Sequence, residues 1–254
     1  MAEKKRRGRR GAVQISEQGG VRSLHAGGAV IQSAMRLHAP YDLDLEYTRC
    51  MMSFLLFHPR PRRVLMIGLG GGSLAKFVYQ RLRNAHTTVV EIDPHIARIA
   101  RSHFLLPRES RRLRLHIGDG ADYVAAQRGA SDIILLDGFE DDQQAPALTT
   151  AEFYDNTRRA LKPGGLLVAN FIGDDPSLPL YLQRLGHSFD NRLACLRARG
   201  DGNIIALAFA DDPGMVRREE LVARAGPLER QFGLDLRRYA AALRRPRNIL
   251  KIAR

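Results

Sequence analysis

Two cysteines in 254 residues are too few for a disulfide scaffold, and Cys50 and Cys195 lack the spacing of metal ligands. We therefore expect reduced thiols, a cytoplasmic location and no bound metal. The sequence also lacks an apolar run of the roughly 18 residues that a membrane span needs. Its basic N-terminus is not followed by an apolar stretch, so it does not read as a secretory signal.

Acidic residues are also scarce, and the shortage is confined to the two ends of the chain. Lys and Arg number 40 against 27 Asp and Glu, which gives a net charge of +13. Residues 1–10 hold six basic residues and one Glu, and residues 237–254 hold seven basic residues and no acid. The chain between them is nearly neutral, so we interpret the ends as basic tails. Such tails can contact RNA, acidic lipid or a partner, or only aid solubility. Residues 1–11 have too little apolar surface to fold alone and predict a disordered tail.

The remaining pattern predicts a small β unit over residues 12–45 and one larger domain over residues 46–254. In the β unit, short apolar pieces separated by glycine pairs are typical of antiparallel hairpins. Its open sheet edge would seek a partner, so we expect a homodimer. The larger domain opens with a helix, LDLEYTRCMMSFLLF, that ends at the breaker HPRPRR.

From Arg63 onward, five apolar strand candidates alternate with helical stretches. The predicted helices cover residues 73–83, 94–104, 119–128 and 151–161. This alternation predicts an α/β fold, a mostly parallel Rossmann sheet with helices on both faces. A C-terminal antiparallel hairpin follows, and then two amphipathic helices near residues 214–231 and 234–245.

A glycine turn follows the first of these strands. The run VLMIGL gives way to Gly68-x-Gly70-x-Gly72, and a helical pattern resumes at Ser73. A strand that ends in glycines and opens a helix brings bare backbone close to a ligand. Glu91 ends the next strand, at the position where a carboxylate accepts both hydroxyls of a ribose.

The third strand ends in GDGADY, which places Asp119 and Ala121 where they would border an adenine edge. Three successive strand ends therefore supply a glycine cradle, an acid for a ribose and an acid for a base. Together they predict a nucleoside site at the carboxyl edge of the sheet, since the ends of parallel strands meet there.

The fourth strand ends at Asp137, and Glu140, Asp141 and Asp142 follow it closely. Four acids on a nearly neutral body create a local negative field that concentrates a cationic substrate. A carboxylate at the strand tip can also accept the proton of an amine that attacks an electrophilic carbon. We therefore predict that Asp137 and Glu140 are catalytic and that the substrate is a small cationic amine.

Over residues 20–175 these motifs resemble the spermidine synthase family. The stretch GGAVIQSAM is similar to the family's strand that ends in a cofactor-contacting glutamine, here Gln32. The stretch HPRPRRVLMIGLGGGSL is similar to its helix breaker and glycine loop. Glu91 and Asp119 match the residues that contact ribose and adenine, and Asp137 matches the catalytic aspartate.

The resemblance implies a class I methyltransferase-like fold with a small N-terminal β domain. It implies a transferase of polyamine biosynthesis, in which decarboxylated S-adenosylmethionine is the donor and a diamine such as putrescine is the acceptor. Methylthioadenosine is the implied leaving product.

The chain departs from the family pattern at the positions that define the transferred group and the acceptor. An aspartate that holds the donor's terminal ammonium in the family is Gly71 here, and the run D-S-S-D-P becomes DGFED. The acceptor-side Q-G-E is replaced by Asn170, Phe171 and Ile172. Tyr47 stands one position out of register with the family's tyrosine. These departures indicate a divergent paralogue.

Three functions remain open on the sequence. The first is aminopropyl transfer, or a closely related alkyl transfer to an amine, with Asp137 as the base and Glu140 assisting. The second is methyl transfer from S-adenosylmethionine, for which Gly71 would leave room for the carboxylate of the intact cofactor. The third is a non-catalytic regulator that binds a nucleoside and interacts through its basic tails.

Overall fold

A computed structural model describes residues 13–26, 31–140, 143–200, 202–214 and 218–249 of the chain. The predicted disordered tail lies outside the described residues, as do Asp141 and Asp142. Within the described part, no helix is long and apolar enough to cross a membrane.

The N-terminal unit is a three-stranded antiparallel sheet in chain order, one strand more than a hairpin. Its strands are β1 (Val13–Gln18), β2 (Val21–Ala26) and β3 (Ile31–Arg36). Leu24 and Met35 are fully buried and belong to the same core cluster as the large domain. The unit is therefore packed against the large domain through its apolar face.

The large domain begins with α1 (Glu46–Met51), which tightens into a 3₁₀ turn over Met52–Leu56. Alternating strands and helices follow, as the sequence predicts. They are β4 (Arg63–Ile67), α2 (Ser73–Arg81), β5 (His86–Glu91), α3 (Pro94–His103), β6 (Leu113–Ile117), α4 (Gly120–Ala125), β7 (Ser131–Leu136), β8 (Phe139–Glu140), β9 (Gln143–Gln144), α5 (Ala151–Ala160), β10 (Leu161–Phe171), α6 (Leu178–Ser188), β11 (Leu193–Arg197), β12 (Ile204–Phe209), α7 (Arg218–Phe232), α8 (Leu236–Ala242) and α9 (Pro246–Ile249).

Seven strands form the central sheet in the order β11-β12-β10-β7-β4-β5-β6. The five strands from β10 to β6 are parallel, and β12 runs antiparallel to both of its neighbours. This confirms the predicted mostly parallel sheet with a C-terminal antiparallel hairpin. The strand order reverses between β4 and β7, because β5 and β6 lie on one side of β4 and β7 and β10 on the other. Ligands of open α/β sheets bind in the crevice at such a point.

Side chains of the central strands alternate between two cores, one on each face of the sheet. In β4, Val64 and Met66 belong to one cluster and Leu65 and Ile67 to the other. Because strand side chains point alternately to opposite faces, a strand buried on both faces must be apolar throughout. Helices therefore cover both faces, and the strand ends are left to carry polar groups.

The interpretation of residues 237–254 as a basic tail is wrong for its first part. Leu236, Tyr239 and Ala240 are buried on one face of α8. Arg238 forms an ion pair with Glu46 of α1, and Arg244 makes a β-bridge with Cys195. Helical spacing of those three apolar residues outweighs the local charge, because the arginines keep their charged heads at the surface.

Candidate functional site

A cavity of about 1040 Å³ opens at the carboxyl edge of the sheet, between the N-terminal unit and the crevice. Eight of the ten residues predicted as site residues line it: Gln32, Gly68, Gly70, Ser73, Glu91, Asp119, Asp137 and Glu140. Gly72 and Ala121 are not among the described lining residues.

Acidic side chains dominate the charge of this cavity. Five carboxylates line it, namely Glu91, Asp93, Asp119, Asp137 and Glu140. The described lining residues include no lysine and no arginine, although the chain as a whole carries +13. Such a cavity attracts cations and repels anions.

The glycine loop runs directly against the end of β7. A Cβ at Gly68 would lie 2.1 Å from the carbonyl oxygen of Asp137, so a side chain has no space there. Gly68 also has a φ of 93°, in the region that favours glycine. Close packing of these two backbones places the loop beside the carboxylate of Asp137. Gly72 instead precedes α2, and a Cβ there would meet Leu106, which explains its position outside the cavity.

Glu91 is buried at the end of β5 and binds two backbone N–H groups. Its Oε2 accepts from Leu69 N at 2.9 Å and its Oε1 from Asp93 N at 2.8 Å. A carboxylate has about four acceptor positions, so both oxygens can still accept from a ribose. Glu91 therefore also fixes the glycine loop from below.

Asp119 caps the N-terminus of α4. Its Oδ1 accepts from Ala121 N at 2.7 Å and from Asp122 N at 3.4 Å. Oδ2 of Asp119 is the oxygen that can accept from an adenine amino group. Ala121 contributes a backbone donor to this cap, and its side chain packs against the second core cluster.

Gly71 is packed so closely against β3 and Phe104 that a side chain has no space at this position. A Cβ at Gly71 would lie 2.7 Å from Ser33 Oγ and 2.8 Å from Phe104 Cδ1. Ser33 Oγ lies 3.1 Å from Ser73 Oγ, and Ser73 donates to the carbonyl of Ala34 at 3.3 Å. A pair of hydroxyls therefore joins β3 to the start of α2.

Asp137 is the part-buried carboxylate at the centre of the site. The side-chain amide of Asn170 donates to its Oδ1 at 2.9 Å, and the Tyr47 hydroxyl is 3.3 Å from its Oδ2. Burial raises the pKa of Asp137 to about 6, although both hydrogen bonds act in the opposite direction. A carboxylate with such a pKa is ionised at pH 7 and is a stronger base than an exposed aspartate.

Glu140 lies at the exposed rim, in the short hairpin in which it pairs with Gln143. The sequence also leaves several polar residues of the site unpredicted, among them Ser33, Tyr47, Asn170 as a partner of Asp137, and Asn203. The sequence pattern places Tyr47 one position out of register, yet α1 begins one residue before it and brings its hydroxyl to Asp137. A polar residue that ends an otherwise apolar strand was the available signal for Asn170.

An acid-lined cavity at the point where the strand order reverses defines a Rossmann-like α/β protein with a ligand site at the carboxyl edge of its sheet. The sequence profile of the spermine/spermidine synthase domain matches residues 45–181. A polyamine aminopropyltransferase from Chromobacterium violaceum is 42% identical over 91% of this chain and 89% of its own. The chain therefore belongs to the spermine/spermidine synthase family.

Solved structures show the same fold. A probable spermidine synthase from Corynebacterium glutamicum has a TM-score of 0.73 at 21% identity, covering 95% of this chain and 90% of its own. Human methyltransferase-like protein 13, solved in complex with SAH, has a TM-score of 0.68 at 28% identity. That match covers 75% of this chain and 93% of the human one.

Proposed function

We propose that this protein transfers an aminopropyl group from decarboxylated S-adenosylmethionine to an amine, and that methylthioadenosine is released. The observation that carries the proposal is the position of Asp137, a raised-pKa carboxylate inside an acid-lined cavity. The donor and a protonated amine are both cations, and the described lining residues offer them only negative or neutral groups. The family and its relatives named polyamine aminopropyltransferase support the same reaction.

In this reaction the amine nitrogen attacks the carbon that is bonded to the sulfonium. A C–N bond forms while the C–S bond breaks, and its electron pair returns to sulfur. Asp137 takes the proton that the nitrogen loses. Because the sulfonium loses its charge as the bond forms, positioning dominates catalysis, and a general base adds about 10²–10⁴-fold.

The remaining site residues receive roles that follow from their places. Glu91 and the loop Gly68–Gly70 bind the ribose side of the donor, Asp119 its adenine, and Gln32 closes the cavity from β3. Glu140 draws in the cationic acceptor at the rim. The β unit of residues 12–45 acts as a cover over the donor. Gly72 and Ala121 support the loop and helix that carry these groups.

The test is release of methylthioadenosine from decarboxylated S-adenosylmethionine with a panel of diamines, for the wild type and for Asp137→Asn. We expect release with at least one amine and a loss of about 10²-fold or more in the variant. Calorimetric titration with methylthioadenosine should give similar affinities for both proteins. No release with any amine, or equal release from the variant, would contradict the proposal.

Methyl transfer is a second candidate because the human methyltransferase named above has the same fold at 28% identity. The same amines with S-adenosylmethionine would then yield S-adenosylhomocysteine. The acidic lining disfavours the extra carboxylate of that donor, so we expect weaker binding of S-adenosylmethionine than of its decarboxylated form. Binding of a nucleoside without either product would leave the regulatory alternative.

We also propose a homodimer in the cytoplasm. Support for the dimer comes from β1, an edge strand of the small sheet, and from Leu37, which is exposed just after β3. Light scattering on the purified protein measures its mass directly. The basic N-terminal segment remains a proposed contact for nucleic acid or acidic surfaces, tested by the salt dependence of RNA binding with and without residues 1–10.

A further inference from the structure

Asn203 stands immediately before β12 and lines the cavity. Its Nδ2 donates to Oδ1 of Asn170 at 2.9 Å, and Nδ2 of Asn170 donates to Oδ1 of Asp137 at 2.9 Å. The side-chain amides of Asn203 and Asn170 therefore form two consecutive hydrogen bonds that lead to Asp137. No part of the reaction described above requires Asn203 itself.

The carboxylate of Asp137 determines which way the two amides donate their hydrogen bonds. An ionised Asp137 can only accept, so Asn170 must present its amino group to Asp137 and its carbonyl to Asn203. With the Asn170 amide reversed, its oxygen would face the carboxylate and disfavour the ionised form. We propose that Asn203 is a positioning residue that fixes the orientation of the Asn170 amide and so keeps Asp137 ionised for catalysis.

The surroundings leave the Asn170 amide dependent on protein partners. Asn170 is only 1% exposed, and its backbone carbonyl accepts from Gln144 Nε2 at 2.8 Å. The backbone of Asn203 is also held in place. Its backbone carbonyl accepts a hydrogen bond from Ala198 N at 2.8 Å, which closes the β11–β12 hairpin. A fixed donor on a fixed backbone can select one of two amide orientations where bulk water cannot compete.

Other titratable groups also share the cavity with Asp137. They are Tyr47 from α1, Glu91 from β5, Asp93 and His95 at the start of α3, Asp119 before α4 and Glu140 from β8. A substitution at Asn203 leaves all of these in place. A change in the titration of Asp137 in an uncharged variant such as Asn203→Leu therefore reports the loss of the hydrogen bond from Asn203 to Asn170.

Asn203→Asp gives the larger effect because the groups on both sides of Asn170 are then hydrogen-bond acceptors. The Asn170 amide can donate to only one of them, and a second negative charge is added nearby. We expect the pKa of Asp137 to rise by about one unit or more. Asn203→Leu keeps the size and removes the donor without adding charge, so a smaller rise is expected. Asn84→Asp, an exposed position in the turn before β5, adds the same charge at the opposite edge of the sheet and should change nothing.

Two measurements follow the ionisation of Asp137 in these variants. Carboxyl ¹³C NMR of the ligand-free protein follows the titration of Asp137 directly, with its signal assigned by Asp137→Asn. In the pH dependence of kcat/KM, the rising limb should move to higher pH while the plateau stays similar. Only this kinetic measurement rests on the proposed function. An unchanged Asp137 titration in folded Asn203→Asp overturns the inference. If that variant does not fold, an unchanged titration in Asn203→Leu does so.

Discussion

The carboxylate of Glu91 accepts a hydrogen bond from Leu69 N at 2.9 Å, which ties the end of β5 to the glycine loop after β4. One side chain thus has two tasks, since the same carboxylate faces the cavity in which a ribose would bind. Loss of this carboxylate should therefore affect both the ligand and the loop.

Glu91→Ala should weaken methylthioadenosine binding about ten- to a hundredfold, the effect of losing charge-assisted hydrogen bonds worth roughly 1.5–3 kcal/mol. Titration calorimetry measures the affinity. Glu152→Ala, which removes an exposed glutamate from the first turn of α5, is the matched control and should bind normally. Equal affinities for the two variants would show that Glu91 does not bind the nucleoside.

The rate should depend on the ionisation of Asp137. With its pKa at about 6, kcat/KM should rise through pH 6 and level off above it. Tyr47→Phe removes a hydrogen bond that lowers this pKa, so the rising limb should move to higher pH. A rising limb that stays at the same pH in this variant would mean that Tyr47 does not support the ionised base.

The ionisation of Asp137 should also change the free energy of unfolding, which should fall with rising pH while kcat/KM increases. The folded pKa of Asp137 lies above its ordinary value of 3.8, so the folded state binds more protons between pH 3.8 and 6. The free energy of unfolding should therefore fall as pH rises through this window. Urea denaturation of the wild type and of Asp137→Asn across that range measures the difference, which should vanish at the acid end.

Glu140 lies at the exposed rim, so its charge should act on capture of the acceptor more than on the chemical step. Glu140→Gln should raise the KM for the amine several-fold and leave kcat within about a factor of two. Initial rates against amine concentration separate the two constants. High salt should reduce the gap between wild type and variant, because exposed charges are screened. A fall in kcat with unchanged KM would instead place Glu140 in the chemical step.

Lys76 is a buried cation that the proposed chemistry does not use. Its ammonium donates to the carbonyl of Phe104 at 2.8 Å, and burial lowers its pKa from 10.5 to about 8. Between pH 8 and 10.5 the unfolded chain keeps a proton that the folded protein has lost, so this group makes stability rise with pH by about 3 kcal/mol. Lys76→Met should remove that rise in urea denaturation. Lys162→Met, at a half-exposed position, should retain it.

Much of the fold could be predicted because it depends on local pattern. The alternation of apolar strands with helices gave the parallel sheet, and the strand ends gave Glu91, Asp119 and Asp137. These three residues end or follow neighbouring parallel strands, so their place at one edge of the sheet follows from topology alone.

The missed residues come from elements whose placement depends on packing between distant segments. Ser33 reaches the glycine loop only because the N-terminal sheet docks there, and Asn203 reaches Asn170 only because β12 enters the sheet antiparallel beside β10. Neither arrangement has a local sequence signal. The C-terminal segment shows a conflict between two signals, because its net charge predicts a tail while its apolar spacing predicts the helix near residues 234–245 that the structure contains as α8.

The ion pair between Glu46 and Arg238 joins helices whose paired residues lie 192 positions apart. Glu46 directly precedes Tyr47, so the helix that supplies a hydroxyl to the base is braced by α8. At about 5–20 residues per second, a ribosome needs roughly 10–40 s to pass from one partner to the other. During that interval the nascent chain can form β4 to β7 and the nucleoside edge, while α1 still lacks its brace. We therefore expect the strand ends at the carboxyl edge to be in place first and the surroundings of Asp137 to be fixed last.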